Sequence, residues 1–375
     1  MKINEITARP LRIPFNAVFS HASATRLESQ SIFVEIESVG SEMGHGEGCP
    51  RRYVTDETVD TALEFINTQH DSILEVSCAE DLRQWVRENQ SLIDKNPAAF
   101  CSVELAVIDL LAKSNSESVE SLLSLKQLSG EFQYTAVLDA QNLSSFNSQL
   151  NRYLRIGFTD FKMKISGDLK LDQAKVNCLV NNVPDSTIRL DANNFWTNTT
   201  DAETYIQELG HEFLAVEEPL KAGNFRGCRH LSKTLKTPII LDESFLCIEH
   251  FQHIEDDPEY WIINLRISKM GGILRSLAII DKAKELKIPI VVGAQVGETS
   301  ILTRAALAVA NNCREILLAQ EGAFGTHLLK YDITDEPISF GEKGKIIAPF
   351  RSESKGGFGL NIESERTLST YSSPG

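Results

Sequence analysis

The sequence predicts an α/β protein: a TIM-type (β/α) barrel with an α+β capping domain formed by the N-terminal region and the C-terminal tail. Three observations predict it. From about Gln133 onward, short apolar runs recur, YTAVLDA, FTDFKMKI, STIRLDANN, FLAVEEP, TPIILDES, YWIINLRIS and IPIVVGAQ, with EILLAQEG offering an eighth. Between most of them lie stretches long enough for one helix, such as DAETYIQELGH and GGILRSLAIIDKAKELK. Strands that alternate with helices build βαβ units and a parallel sheet, and eight units close a barrel. An open doubly wound sheet is the competing arrangement, but it would carry a Gly-rich phosphate turn after an early strand, and none is present.

The elements follow in order. ITARPLRIPF and SIFVEIES alternate apolar and polar residues with β-branched content, as half-buried strands do, whereas GSEMGHGEG reads as loop. From about Thr55 to Lys113 the pattern turns helical. CSVELAVIDLLAK sets Val103, Ala106, Val107, Leu110 and Leu111 on one face at i, i+3, i+4 spacing. The tail, ISFGEKGKIIAPF and GGFGLNI, returns to short strands and Gly-rich turns that pack back on the first domain. The expected division is residues 1–125 for the capping domain, 126–340 for the barrel and 341–375 for the returning tail.

Composition narrows the function. The chain has 375 residues, 42% hydrophobic and 24% charged, enough for a barrel and a smaller unit. A formal charge of −15 argues against nucleic acid or an anionic membrane as the main partner, although a local cation cluster can still hold an anionic substrate. No apolar run approaches the roughly 18 residues of a membrane span, and MKINEITARP lacks the apolar core of a signal peptide. The seven cysteines form no C-x-x-C pair, which suits reduced thiols in a cytoplasmic protein.

The residues that carry chemistry stand at the strand ends, where a barrel gathers its active site. They are Lys162 and Lys164, then Asp191, Glu217, Asp242 and Arg266, with Glu298 near the end of the seventh strand. The steps from Lys164 to Arg266 are 27, 26, 25 and 24 residues, close to one βα unit each. The last four follow apolar runs, IRLD, LAVE, IILD and INLR, and a charge at the end of a buried strand is costly unless paired or bound to a metal. Any one of these acids alone reads as a loop charge or a helix cap. Three in register imply a hard divalent cation, and all-oxygen ligation suits Mg²⁺. Lys162 and Lys164, two apart on a strand, point to one face, and neighbouring like charges depress each other toward the range of a general base.

Assembled, the pattern resembles the enolase superfamily and, within it, the muconate-lactonizing-enzyme subgroup that includes muconate cycloisomerase and mandelate racemase. FKMKI, LDAN, VEEP, LDES and the KMGG that follows Arg266 are similar to the barrel motifs. SVELAVIDL resembles the helix that closes the capping domain, and GHGEGCPRRYVTDET its mobile loop. The resemblance implies that Asp191, Glu217 and Asp242 bind Mg²⁺, with Mn²⁺ as a substitute, and that Lys164 is the base tuned by Lys162. Asn193 and Glu243 would support the metal ligands or face the substrate. The shared chemistry is removal of a proton α to a carboxylate, with the metal holding the enolate.

The departure from that pattern is Arg266. The subgroup has lysine there, and Lys269 aligns with a second lysine of the motif. Arginine stays protonated and makes a poor base, but its fork of donors can hold a carboxylate or an enolate. One-base chemistry is therefore expected, cycloisomerisation first. The alternatives are a dipeptide or acyl-amino-acid epimerase and a dehydratase or succinylbenzoate-synthase-like lyase. A different class, a binder that kept the fold without catalysis, is opposed by the intact acidic triad. Arg266 could also simply pair with Glu243 or Glu298 and hold its loop. Specificity would come from the capping loops, Phe15–Arg26 and Cys49–Val54. Their His21, Arg26, Arg51, Arg52 and Tyr53 suit a second anionic group on a small-molecule carboxylate. A homo-oligomer is expected, with neither nucleic acid nor membrane as partner.

Overall fold

The computed structural model of the chain describes residues 1–21, 24–184, 186–348 and 356–368. The N-terminal part opens with strands β1 (Ile3–Leu11), β2 (Pro14–His21), β3 (Ala24–Glu28), β4 (Ser31–Ser38) and β5 (Met43–Gly48). β1, β4 and β5 form an antiparallel sheet in that order, and β2 and β3 pair as a separate hairpin.

β5 corrects the reading of GSEMGHGEG as loop. Its glycines 44, 46 and 48 alternate, so all three turn one face to helix Pro97–Ser114. A Cβ at Gly46 would stand 1.9 Å from the carbonyl oxygen of Ser102, and one at Gly44 would stand 2.1 Å from that of Ala106. Here glycine permits the close approach of strand and helix backbones rather than a turn. The helix differs from expectation too: residues 97–112 are buried all round, not along one face. It lies between this sheet and the barrel segments Ile267–Met270 and Ile273–Leu286. Glu104 on this helix caps the latter, accepting the N–H of Leu274 at 3.2 Å.

After β6 (Gly130–Gln133) come the eight barrel strands: β7 (Ala136–Leu138), β8 (Asp160–Lys164), β9 (Thr187–Asp191), β10 (Ala215–Glu217), β11 (Ile239–Leu241), β12 (Trp261–Arg266), β13 (Ile290–Gly293) and β14 (Leu317–Gln320). They are neighbours in chain order and all parallel. The sheet curls until its edges meet, where the Thr135 N–H donates to the Gln320 carbonyl at 2.8 Å. One α-helix spans most crossovers, but β11 and β12 are joined by 3₁₀ turns, Ile248–His253 and Pro258–Tyr260. A final strand, β15 (Lys345–Ala348), pairs antiparallel with β6. Beyond it, the Phe358 N–H donates to Asp109 on the buried helix at 2.9 Å, so the tail touches both parts of the molecule.

Candidate active site

Strand register sets the charged residues side by side. Lys164 pairs with Asp191 across β8 and β9, and Asp191 pairs with Glu217 across β9 and β10; Asp242 directly follows β11. The backbone turns sharply beyond these strands. Asn193 and Asn194 adopt φ of 45° and 61°, which asparagine tolerates, but Glu218 holds φ 37°, a strained conformation for its type. The Glu218 carboxylate accepts the N–H groups of Asp242 and Ser244, both at 2.7 Å, and thereby fixes the chain that presents Asp242.

Lys162 and Lys164 leave one strand but have different surroundings. Lys162 is 3% exposed, and its ammonium lies 2.7 Å from Glu321, 3.1 Å from Glu217 and 3.4 Å from Asp191. Burial pulls its pKa down, but Glu217, Glu321 and Asp191 outweigh it and hold the ammonium above its ordinary value. The like-charge depression expected of the pair does not govern Lys162, because carboxylates surround it. Lys164 is half-buried; it donates to Asn193 Oδ1 at 3.1 Å and lies 3.6 Å from Asp191.

Arg266, across the barrel on β12, donates to Asp242 through Nη2 and to Gln295 Oε1 through Nη1 at 3.0 Å. Among the described residues, neither Glu243 nor Glu298 accepts a hydrogen bond from it, although both interact with it electrostatically. Burial opposes its charge, yet Asp242, Glu243 and Glu217 hold the guanidinium firmly protonated. Lys269 is buried and donates to the Asp242 carbonyl at 2.7 Å, to its carboxylate at 2.8 Å and to the Asn264 carbonyl at 2.7 Å.

Asp191, Glu217 and Asp242 present buried oxygen donors from three neighbouring strands, a donor set that fits Mg²⁺. Burial pushes Glu217 up to about 8, helped by Asp191, Glu321 and Asp242 against the pull of Lys162. Asp191 falls to about 2 because Lys162 and Lys164 overcome its burial. Cations thus already converge on these acids: Lys162 on Asp191 and Glu217, Arg266 on Asp242. The ligand atoms of these three acids do not all lie within 4.8 Å of one another. Among the described residues, the acid, histidine or cysteine group whose ligand atoms lie within 4.8 Å of one another is instead Asp94, Cys247 and Glu249, largely exposed.

A cavity of about 410 Å³ opens over the strand ends, lined among others by Lys162, Lys164, Asp191, Asn193, Glu243 and Arg266. Tyr53 also lines it, and the guanidinium of Arg26 lies 6.0 Å from the Tyr53 ring while donating to Gln30 at 2.6 Å. The expectation that Arg51 faces a substrate is not met. Arg51 is fully buried and donates to the carbonyls of Gln30, Pro50 and Val296, which fastens the Cys49–Val54 segment to the seventh strand's loop. Glu298 is half-buried and accepts the Gln295 N–H; burial and neighbouring Glu47 push it up to about 8. The side chain of His21 lies outside the described residues.

Sequence reasoning missed Glu321, Asn264, Gln295 and Arg189. Glu321 ends the eighth apolar run just as Asp191 ends the third, so the same rule could have found it. Asn264 interrupts WIINLR, a polar residue inside an apolar strand, and donates to Glu217 at 3.0 Å. Arg189 in IRLD points into the barrel and donates to Glu321 at 3.0 Å.

A family model described as Enolase C-terminal domain-like matches residues 145–366. The chain is 27% identical over 336 residues to the hydrophobic dipeptide epimerase of Enterococcus faecalis, covering 87% of this chain and 92% of that protein. It is 24% identical over 312 residues to the N-succinyl-L-Arg/Lys racemase of Bacillus cereus, covering 83% and 84%. Among solved structures, the E. faecalis dipeptide epimerase complexed with Mg and the dipeptide L-Leu-L-Tyr matches at a TM-score of 0.84 and 24% identity, covering 96% of this chain and 99% of that one.

Proposed function

The chain belongs to the enolase C-terminal domain-like family, and from that premise we propose that it is an enolising epimerase of a dipeptide or N-acyl amino acid. The single observation that carries the reading is the register that sets Lys164, Asp191 and Glu217 on successive strand ends with Asp242 after the next, Lys164 and Asp191 lining the cavity. The relatives favour this outcome, an alternative in the sequence reading, over the cycloisomerisation expected first.

Asp191, Glu217 and Asp242 would hold Mg²⁺, which supplies Lewis-acid stabilisation of negative charge on the substrate carboxylate. Lys164, as the neutral amine, takes the proton from the α-carbon, and the C–H electron pair moves toward the carboxylate carbon. Lys162 keeps its proton and offers fixed positive charge beside the developing enolate. Epimerisation then requires a proton on the other face. Arg266, four strands round an eight-stranded barrel from Lys164, is the donor on that side; the turnover leaves Lys164 protonated and Arg266 one proton short, and exchange with solvent, or turnover of the opposite epimer, restores both.

One observation favours a second reading. Arg266 is bonded to Asp242 and Gln295 and firmly protonated, which suits a one-base lyase in which Lys164 acts alone and Arg266 only holds charge. The test incubates the protein, Mg²⁺ and a library of dipeptides and N-acyl amino acids in D₂O and follows the α-proton by NMR. Deuterium uptake with loss of chirality supports the epimerase. Conversion to an unsaturated product supports the lyase. Neither exchange nor turnover with any carboxylate would favour a non-catalytic binder.

A further inference from the structure

Four carboxylates line the cavity: Asp139, Asp191, Glu243 and Glu321. Two are engaged by cations: Asp191 faces Lys162 and Lys164, and Glu321 holds Lys162 and Arg189. Glu243 accepts from Asn194 at 3.2 Å and lies in the field of Arg266. Asp139, just past β7, is the acid one strand away from Lys164. Its Oδ1 accepts from Gln149 Nε2 at 2.6 Å, while Gln149 Oε1 accepts the N–H groups of Asp139 and Ala140, each at 3.2 Å. That reciprocal clasp orients the carboxylate, and Oδ2 has no hydrogen-bond partner among the described residues.

Position adds a second argument. Leu138 pairs with Met163 across β7 and β8, so Asp139 follows one strand away from Lys164. Neighbouring strands lie about 4.8 Å apart. In a dipeptide, the terminal nitrogen lies within about 5 Å of the α-carbon of the carboxylate-bearing residue, from one Cα–Cα step and one N–Cα bond. A substrate whose reacting carbon meets Lys164 can therefore set its amino end against Asp139. Arg152, a cation that also lines the cavity, is exposed on helix Leu143–Ile156 and packs over the Tyr153 ring at 5.1 Å.

We infer that Asp139 receives a cationic group on the substrate, and that the substrate class is a dipeptide with a free terminal ammonium rather than an N-acyl amino acid. This rests on the epimerase reading and selects between its two substrate classes. The experiment compares kcat/KM for α-proton exchange on apolar dipeptides and on the same dipeptides N-acetylated, in wild type, Asp139→Asn and Arg152→Met. Asparagine keeps an oxygen acceptor for Gln149, so the clasp survives the exchange. Wild type should favour the free amine by about 10-fold or more, the worth of one charged hydrogen bond. Asp139→Asn should bring the ratio toward one, chiefly by raising KM for the amine. A ratio unchanged in Asp139→Asn, a wild-type preference for the acetylated form, or a preference altered only by Arg152→Met would each overturn the assignment. Absence of exchange with both forms would instead overturn the epimerase reading beneath it.

Discussion

The Lys162 ammonium stands 2.7 Å from the Glu321 carboxylate, and the other oxygen of Glu321 accepts from Arg189 at 3.0 Å. Arg189 continues to Thr135 and Asp160, so the first lysine of the pair belongs to a charged chain running through the barrel interior. Lys164, two residues on, lines the cavity, and among the described residues it forms an ion pair only with Asp191, which also faces Lys162. The two lysines should therefore fail differently when removed.

Lys164→Ala should abolish α-proton exchange, by about 10³-fold or more for loss of a general base, while leaving the melting temperature close to wild type. Lys162→Met should lower stability by about 3–5 kcal/mol, because it strands buried carboxylates without their cation. Denaturant unfolding together with NMR exchange separates the effects. A stable Lys162→Met protein, or exchange retained in Lys164→Ala, would reverse the assignment.

How far the sequence exposed this site follows from the physics of each residue. Asp191, Glu217, Asp242 and Arg266 were legible because a charge ending an apolar run is costly and therefore conspicuous. The (β/α) alternation was legible for the same reason, since strands buried on both faces read as uninterrupted apolar runs. Arg51 misled because a cation in a polar stretch looks solvated, whereas its partners are main-chain carbonyls that no side-chain pattern announces. β5 misled because glycine serves both turns and close packing, and only the helix across from Gly44, Gly46 and Gly48 decides which. Asp139 was invisible in another way: its significance depends on Gln149, ten residues later, taking one oxygen and leaving the other.

Removal of divalent ions should abolish activity, and Mg²⁺ should raise the melting temperature of the wild type by preferential binding to the folded state. Asp242→Asn should lose most of that rise while remaining folded, since Lys269 keeps the carbonyl of residue 242 and the Asn264 carbonyl as acceptors. Differential scanning fluorimetry across a Mg²⁺ titration makes the check. An equal rise in wild type and Asp242→Asn would take this residue out of the ligand set.

Stability should fall as pH rises through neutrality, partly through Glu47. Burial pushes its carboxyl up to about 7, even though Thr299 donates to it from both N–H and hydroxyl. The unfolded value is near 4.5, so the folded state binds the proton more tightly. That contribution is full below about pH 4.5 and is lost as pH climbs through 7. Glu47→Gln should flatten the decline between pH 5 and 8, by roughly 2 kcal/mol at the upper end. Parallel thermal melts at those two values test it, and a variant that loses stability with pH as steeply as wild type would exonerate Glu47.

The last prediction concerns the proton on the face opposite Lys164. Arg266 reaches Asp242 and Gln295 with separate nitrogens, and the surrounding carboxylates keep its proton in place. Lysine at this position would retain the charge with a lower pKa and so exchange its proton more readily. If Arg266 transfers a proton in the wild type, both enantiomers of a turned-over substrate take up deuterium. Arg266→Met should then exchange one enantiomer alone, and Arg266→Lys should keep both. If Arg266 only holds charge, the wild type exchanges one enantiomer and Arg266→Lys gains the second. Because a guanidinium gives up a proton far less readily than an ammonium, the Arg266→Lys variant should exchange the second enantiomer at least about 10-fold faster than wild type in either case. Single-enantiomer NMR exchange measures that ratio directly. A ratio of one or below would mean that the arginine, held between Asp242 and Gln295, is already as competent a proton donor as the lysine it replaces.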